Sequence, residues 1–184
     1  MPKIRGSAFI PRINYLKANH ADTWPAVSKS VTPQTRELLD VHPLATGWYP
    51  FETFVDLMQV ADRICGAGDL ELVSKLGHQA ATANLSTVLR IFIRLGSPDY
   101  ILGKASKVWN MYHDSGRAET ESLGPRSIAF QVHDFAAPHE VLCVTLRGWV
   151  RAYLEATGCK AVVVRETKCR RHGGDRCRYE GQWL

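Results

Sequence analysis

The sequence predicts an α+β domain: an N-terminal helical layer packed on a small antiparallel sheet of two hairpins that a long helix separates. Three observations carry this. Apolar residues recur at helical spacing as far as the Tyr112-His113 pair, alternation at period two begins only after Gly116, and PHEVLCVTLRGWVRAYLEATG between the two alternating stretches returns to helical spacing. At 184 residues and 45% apolar composition the chain is long enough to bury one core. Residues 1–44 read as a helical extension packed on a domain of residues 45–184.

The elements follow in order. Phe9, Ile10, Ile13, Tyr15, Leu16, Trp24 and Val27 lie at helical spacing interrupted by Pro11 and Pro25, which predicts short helices with a break. Thr32 then caps a compact helix with Pro33 at its first position and a stop before Pro43. Thr46 or Pro50 opens a core helix with Phe51, Phe54, Val55, Leu57, Met58, Ala61 and Ile64 on one face, ended by Gly66 and Gly68. Leu72, Leu76, Ala80, Leu85, Leu89, Phe92 and Ile93 predict two helices or one bent helix, stopped at Gly96, Ser97 and Pro98. Tyr100, Ile101, Val108, Trp109 and Tyr112 form another. RAETESL and RSIAFQVHDF make the first hairpin, and KAVVVRETKC and RCRYEGQW, joined at a His-Gly-Gly-Asp turn, make the second.

Charge and termini narrow the class. The net charge is +5, and residues 160–180 hold seven basic against three acidic groups. With no helix-turn-helix or RNA-binding signature beside it, that segment reads as a solvated hairpin face, and nucleic acid is set aside as a partner. MPKIRGSAFIPRINYL contains no apolar run of signal-peptide length and no stretch of about twenty apolar residues occurs, so a cytoplasmic protein with no membrane span is expected. Five cysteines, an odd number, point to reduced thiols or metal ligands.

Cys169 ends one strand of the second hairpin and Cys177 begins the next, so the turn brings both thiols to one end, while Cys143 lies one turn into the preceding helix. Three thiolates with one carboxylate or histidine satisfy a tetrahedral Zn²⁺. His172 and Asp175 in the turn could bond the loop backbone or support such a site. The alternative is that Cys143 is a small buried apolar residue and the other two are free thiols.

Cys143, Cys169 and the Cys-x7-Cys ending in Cys177-Arg178-Tyr179, with the Trp-Tyr-Pro start of the core helix, resemble the 4-vinyl reductase domain, which shares an α+β superfold with haem-NO-binding and TRAPP-subunit domains. The resemblance covers residues 45–184. It implies that the three cysteines ligate a structural zinc, with an acidic residue from the first hairpin, Glu119 or Glu121, as the fourth ligand. It also implies a pocket for a small hydrophobic or aromatic ligand between helices and sheet, for which Phe92, Trp109, Tyr112, His113, Phe130 and Trp149 are candidates that core packing explains equally well. The propionate clamp of the haem-NO relatives, Tyr-x-Ser-x-Arg, has no match, because Tyr112-His113-Asp114-Ser115-Gly116-Arg117 is one residue too long between Tyr and Ser. His78 and His113 could be axial ligands, but the departure argues against haem.

No nucleophile motif is present, and His133-Asp134 and Pro138-His139-Glu140 read as caps, so no enzyme is expected. The expected function is a sensory or regulatory module with a structural zinc, binding a small hydrophobic or aromatic ligand and signalling through protein contacts as a homodimer. The alternatives are a TRAPP-like interaction scaffold without exchangeable ligand and a haem-based gas sensor.

Overall fold

The computed structural model describes residues 1–85 and 104–184. Leu89, Phe92, Ile93, Tyr100, Ile101 and the stop at Gly96-Ser97-Pro98 lie outside the described residues. Among those described, seven helices and two antiparallel sheets form an α+β fold. The helices are α1 (Gly6–Asn19), α2 (Trp24–Ser30), α3 (Pro33–Val41), α4 (Phe51–Cys65), α5 (Glu71–Leu85), α6 (Ala105–Tyr112) and α7 (Glu140–Ala156). The strands are β1 (Lys3–Arg5), β2 (Trp48–Pro50), β3 (Arg117–Gly124), β4 (Ser127–His133), β5 (Val163–Lys168) and β6 (Cys177–Gln182).

Local chemistry sets most boundaries. Thr32 caps α3 by accepting from the Thr35 N–H, and Pro33 follows at the first helical position. Its own N–H and hydroxyl donate to the Asp56 carboxylate at 2.8 Å, tying α3 to α4. His139 caps α7, its Nδ1 accepting from the Val141 N–H at 3.2 Å. The expected break at Pro11 does not occur. Proline there removes one N–H from the second turn of α1, while Phe9, Ile13 and Leu16 bury the same face on both sides of it, and that burial keeps the helix continuous.

The four-stranded sheet has the order β3-β4-β6-β5, so the two hairpins join through the antiparallel β4–β6 pair, in which Phe130 faces Tyr179. Along β6 the burial alternates, with Cys177, Tyr179 and Gly181 inward and Arg178 and Glu180 outward. The second hairpin is not a tight turn. A 3-10 segment (Arg170–His172) precedes Gly173, whose φ of 81° lies in the left-handed region, so His172-Gly173-Gly174-Asp175 is the far part of a longer connection. β1 and β2 form a separate two-stranded ribbon with Ile4 opposite Tyr49, and Ile4 also bridges to His113.

Helix α7 lies on the inner face of the sheet and α5 crosses α7. The crossing is close because each helix offers a glycine to the other's backbone: a Cβ on Gly77 would come within 2.3 Å of the Thr145 carbonyl oxygen, and one on Gly148 within 1.9 Å of that of Ser74. The core runs continuously from Ile4 and Phe9 through Phe54 and Leu76 to Phe130, Leu154 and Tyr179.

Candidate functional site: an apolar cavity with unpartnered polar groups, and a thiol cluster

Where α1, α6 and α7 meet β4, the described residues line a cavity of about 50 Å³. Ala8 and Arg12 come from α1, Trp109 and Tyr112 from α6 with His113 directly after it, Phe130 from β4, and Thr145, Leu146 and Trp149 from α7. Five of the six rings named from the sequence therefore line one cavity, and the sixth, Phe92, lies outside the described residues. A water needs roughly 10–15 Å³ of such space, so the cavity has room for a few waters or a molecule of comparable size.

The polar atoms on this wall distinguish it from ordinary core. Arg12 Nε, both ring nitrogens of His113 and Thr145 Oγ1 are buried without a hydrogen-bond partner. The three residues are 4%, 8% and 5% exposed. Buried polar atoms are nearly always satisfied, and each that is not costs about 1–3 kcal/mol. Four such atoms around one apolar space are a concentration that close packing does not explain.

His113 stacks on Trp109 with ring centroids 3.8 Å apart and meets Phe135 edge-on at 5.4 Å. Its backbone N–H donates to the Trp109 carbonyl at 2.9 Å, and the Trp109 indole N–H donates to the Ser115 carbonyl at 2.8 Å, so the α6 terminus fixes both rings. Burial pulls the His113 pKa down to about 3, which leaves a neutral imidazole. Arg12 lies on the buried face of α1, its Nη1 donating to the Ala8 carbonyl at 2.6 Å and its guanidinium 5.1 Å from the Phe54 ring centre. Burial lowers its pKa to about 10, so it remains a cation at neutral pH. No carboxylate is among the described residues that line the cavity.

A second constellation lies where α7 begins, beside the β5–β6 connection. The metal-ligating atoms of Cys143, Glu166, Cys169 and Cys177 all lie within 4.8 Å of one another, and the Cys143 and Cys169 sulfurs are 3.6 Å apart. The first turn of α7 supplies Cys143, and the two ends of the β5–β6 connection supply the other thiols. A hydrogen bond from the Cys143 thiol lowers the Cys177 pKa to about 6, and the same contact together with burial pushes Cys143 up. The carboxylate is Glu166, opposite Tyr179 on β5, where the strand register shifts between Glu166 and Lys168. Three thiols and a carboxylate at these separations can hold a soft cation in four-coordinate geometry.

Glu119 and Glu121 are elsewhere. Both lie on the outer face of the sheet, whereas the thiols lie on the inner one: Glu119 pairs with His133 at 2.8 Å, and Glu121 accepts from Arg178 at 2.7 Å. Arg178 also donates to Glu180 at 2.9 Å, and Lys168 and Arg176 pair with Asp175, so much of the basic excess of the hairpin is neutralised on the surface. His78 pairs with Glu155 at 2.7 Å, away from the cavity lining. Arg117, more than half exposed, faces Glu119 and Asp134. Sequence reasoning missed Arg12, Thr145 and Glu166. The signal for Arg12 was present: it is the lone cation on the apolar stripe Phe9, Ile13, Leu16 of α1.

Solved structures of similar fold are H-NOX domains. One from Shewanella oneidensis, in its Fe(II)NO ligation state, superposes with a TM-score of 0.73 at 15% identity over 98% of this chain and 99% of its own. The unliganded Fe(II) protein from K. algicida gives 0.68 at 11% identity over 98% and 96%. A further structure, described only as modulating haem redox potential through protein-induced porphyrin distortion, gives 0.64 at 10% identity over 97% and 99%. At these identities the likeness establishes the fold. No curated protein sequence is similar enough to match. These findings overturn the 4-vinyl reductase resemblance, and with it the reading of a zinc-stabilised sensor for small hydrophobic or aromatic ligands. The expectation that haem is unlikely conflicts with a fold shared with Fe(II)-containing domains, and the structural zinc has no support from these neighbours. The sequence relationship itself lies elsewhere: residues 25–184 match the family described as Protein of unknown function (DUF2378), and the chain belongs to that family.

Proposed function

We propose that this chain is a haem-based gas-sensing domain, cytoplasmic and non-enzymatic, with residues 1–44 packed on residues 45–184 as part of one sensing unit. The observation that carries the reading is His113, a neutral imidazole with both ring nitrogens unpartnered on the wall of an apolar cavity, in a fold shared with H-NOX domains. The donor fits: a ring nitrogen of His113 would hold the iron, and bound haem supplies a metal at which a diatomic gas can be captured. Trp109 and Phe135 hold the imidazole plane, and the apolar rings exclude water from it. A porphyrin is far larger than about 50 Å³, so loading requires the helical wall of the cavity to open. That movement gives occupancy a way to alter the surface of the helical layer.

The test is spectroscopic. Protein titrated with hemin, then reduced under carbon monoxide, is expected to show a Soret band saturating near one equivalent, and His113→Ala is expected to lose the axial-histidine spectrum. Absence of a saturable Soret band in the wild-type protein, under conditions where a known haem protein loads, sinks the reading. The signal would leave through protein contacts, and a homodimer formed by the helical layer, where Val41 and Leu44 are each 71% exposed and Trp48 37%, is the proposed route. A monomer by light scattering at micromolar concentration contradicts the dimer.

The convergence of Cys143, Glu166, Cys169 and Cys177 supports a second proposal, a cation site that ties α7 to the β5–β6 hairpin, with Glu166 in place of Glu119 or Glu121. Titration with Co²⁺ is expected to give a thiolate charge-transfer band at one equivalent and a rise in melting temperature, both lost in Cys177→Ser. Equal absorbance in the wild type and Cys177→Ser removes the site.

A further inference from the structure

We infer that Arg12 is the counter-charge for a carboxylate carried by the guest of the cavity. The inference rests on the same cavity as the haem reading and names the chemistry of the guest's polar end. Arg12 is 4% exposed, one guanidinium nitrogen donates to the carbonyl one turn back in its own helix, and Nε has no partner. Among the described residues no ion pair involves it and no acidic side chain lines the cavity. A buried cation without an opposite charge destabilises a fold, and an apolar residue of similar volume at such a position is often neutral or stabilising. A guanidinium also offers planar, paired donors, the geometry that matches a carboxylate.

The rest of the wall says what the carboxylate is attached to. Trp109, Phe130 and Trp149 present ring surface, and Thr145 on α7, across from α1, offers one more unpartnered hydroxyl. The guest is therefore an apolar body with an acidic end. A porphyrin propionate and an aliphatic acid share that chemistry. The outward position of Arg117, paired with Glu119 and Asp134, leaves Arg12 as the cation on the cavity side among the described residues.

The experiment compares acids with their neutral counterparts: protoporphyrin IX against its dimethyl ester by fluorescence, and hexanoate against hexanol by thermal shift, with wild type, Arg12→Met and Arg12→Lys. In the wild type at least one of the two acids is expected to bind at least tenfold more tightly than its neutral counterpart. The difference should vanish in Arg12→Met and be partly retained in Arg12→Lys. Without added acid, Arg12→Met should melt at a higher temperature than the wild type, an outcome a purely structural arginine would not give. If neither porphyrin binds and hexanoate binds through Arg12, the inference stands and the haem reading fails. If haem binds through His113 but acid and ester bind equally, the haem reading stands and the inference is overturned. An acid preference unchanged in Arg12→Met, or no preference for either acid in the wild type, also overturns it. Should Arg12→Met not fold, the acid-to-neutral ratios of the wild type and Arg12→Lys decide by the same criteria.

Discussion

Gly148→Ala is expected to destabilise the protein by about 3 kcal/mol or more, the upper range for forcing extra atoms into a packed interior. For a domain of this size that lowers the melting temperature by roughly 6–12 °C. Helix propensity alone argues the opposite sign, since alanine is favoured over glycine by about 1 kcal/mol within a helix. Steric contact decides, because the new Cβ would lie 1.9 Å from the Ser74 carbonyl oxygen and 2.9 Å from its carbon, backbone atoms that no side-chain rotation can move aside. α5 and α7 would have to separate, opening the contact that presses α7 onto the sheet. Gly77→Ala meets the Thr145 carbonyl at 2.3 Å from the other side of the same crossing and is expected to have a similar effect. Because one separation relieves both clashes, the double variant should cost less than the sum of the two. Denaturant unfolding of the two single variants and the double measures this, and a Gly148→Ala variant as stable as the wild type shows that the helices do not approach as described.

The α+β class and the long helix between two hairpins were legible because hydrophobic periodicity is a local property. The inward run of α7 and the alternation of Cys177, Tyr179 and Gly181 can be read by eye. The β1–β2 ribbon was not legible, because three-residue strands carry no measurable alternation and are fixed by pairing across more than forty residues. Five rings of the cavity could be named from their helices and strand, yet Arg12 was passed over because a charged residue near the N-terminus reads as solvated until its neighbours on the apolar stripe are counted. The thiols were found and their carboxylate was not. Three residues apart on a regular strand, Glu166 and Cys169 face opposite sides; the register shift between Glu166 and Lys168 brings them to one side, and a bulge has no sequence signature here. Glu119 and Glu121 were attractive because they share a face, but it is the outer one. The family assignment failed for a related reason: cysteine spacing records a local hairpin, while kinship is recorded over the matched residues 25–184.

The acid limb of the stability curve should be dominated by His113. Its pKa in the folded protein is about 3, held down by burial and by the Arg12 guanidinium, against about 6.5 for the unfolded chain. Between those values the unfolded state carries a proton on this residue that the folded state does not. Stability therefore rises with pH across the window, is fully present above about pH 6.5, and is lost as pH falls toward 3. The slope is about 1.4 kcal/mol per pH unit, and the whole gap corresponds to about 5 kcal/mol. His139, also lowered by burial and by Arg171, acts in the same direction from a more open position, so it needs its own variant. The lowered carboxylate of Glu155 contributes in the same sense, but only as pH falls through the carboxylate range. Measurements from pH 4.5 to 6 thus separate the histidines from the acids, and lie below the range in which the lowered Cys177 thiol adds a slope of its own. Denaturant unfolding over that interval should give a steep dependence for the wild type and for His139→Ala, and a shallower one for His113→Leu, which is expected to be the more stable protein at pH 5 because it has no buried imidazole to protonate on unfolding. Parallel curves for wild type and His113→Leu would show that the imidazole is not buried in its neutral form, and would remove the burial on which the reading of His113 as an iron ligand inside the cavity rests.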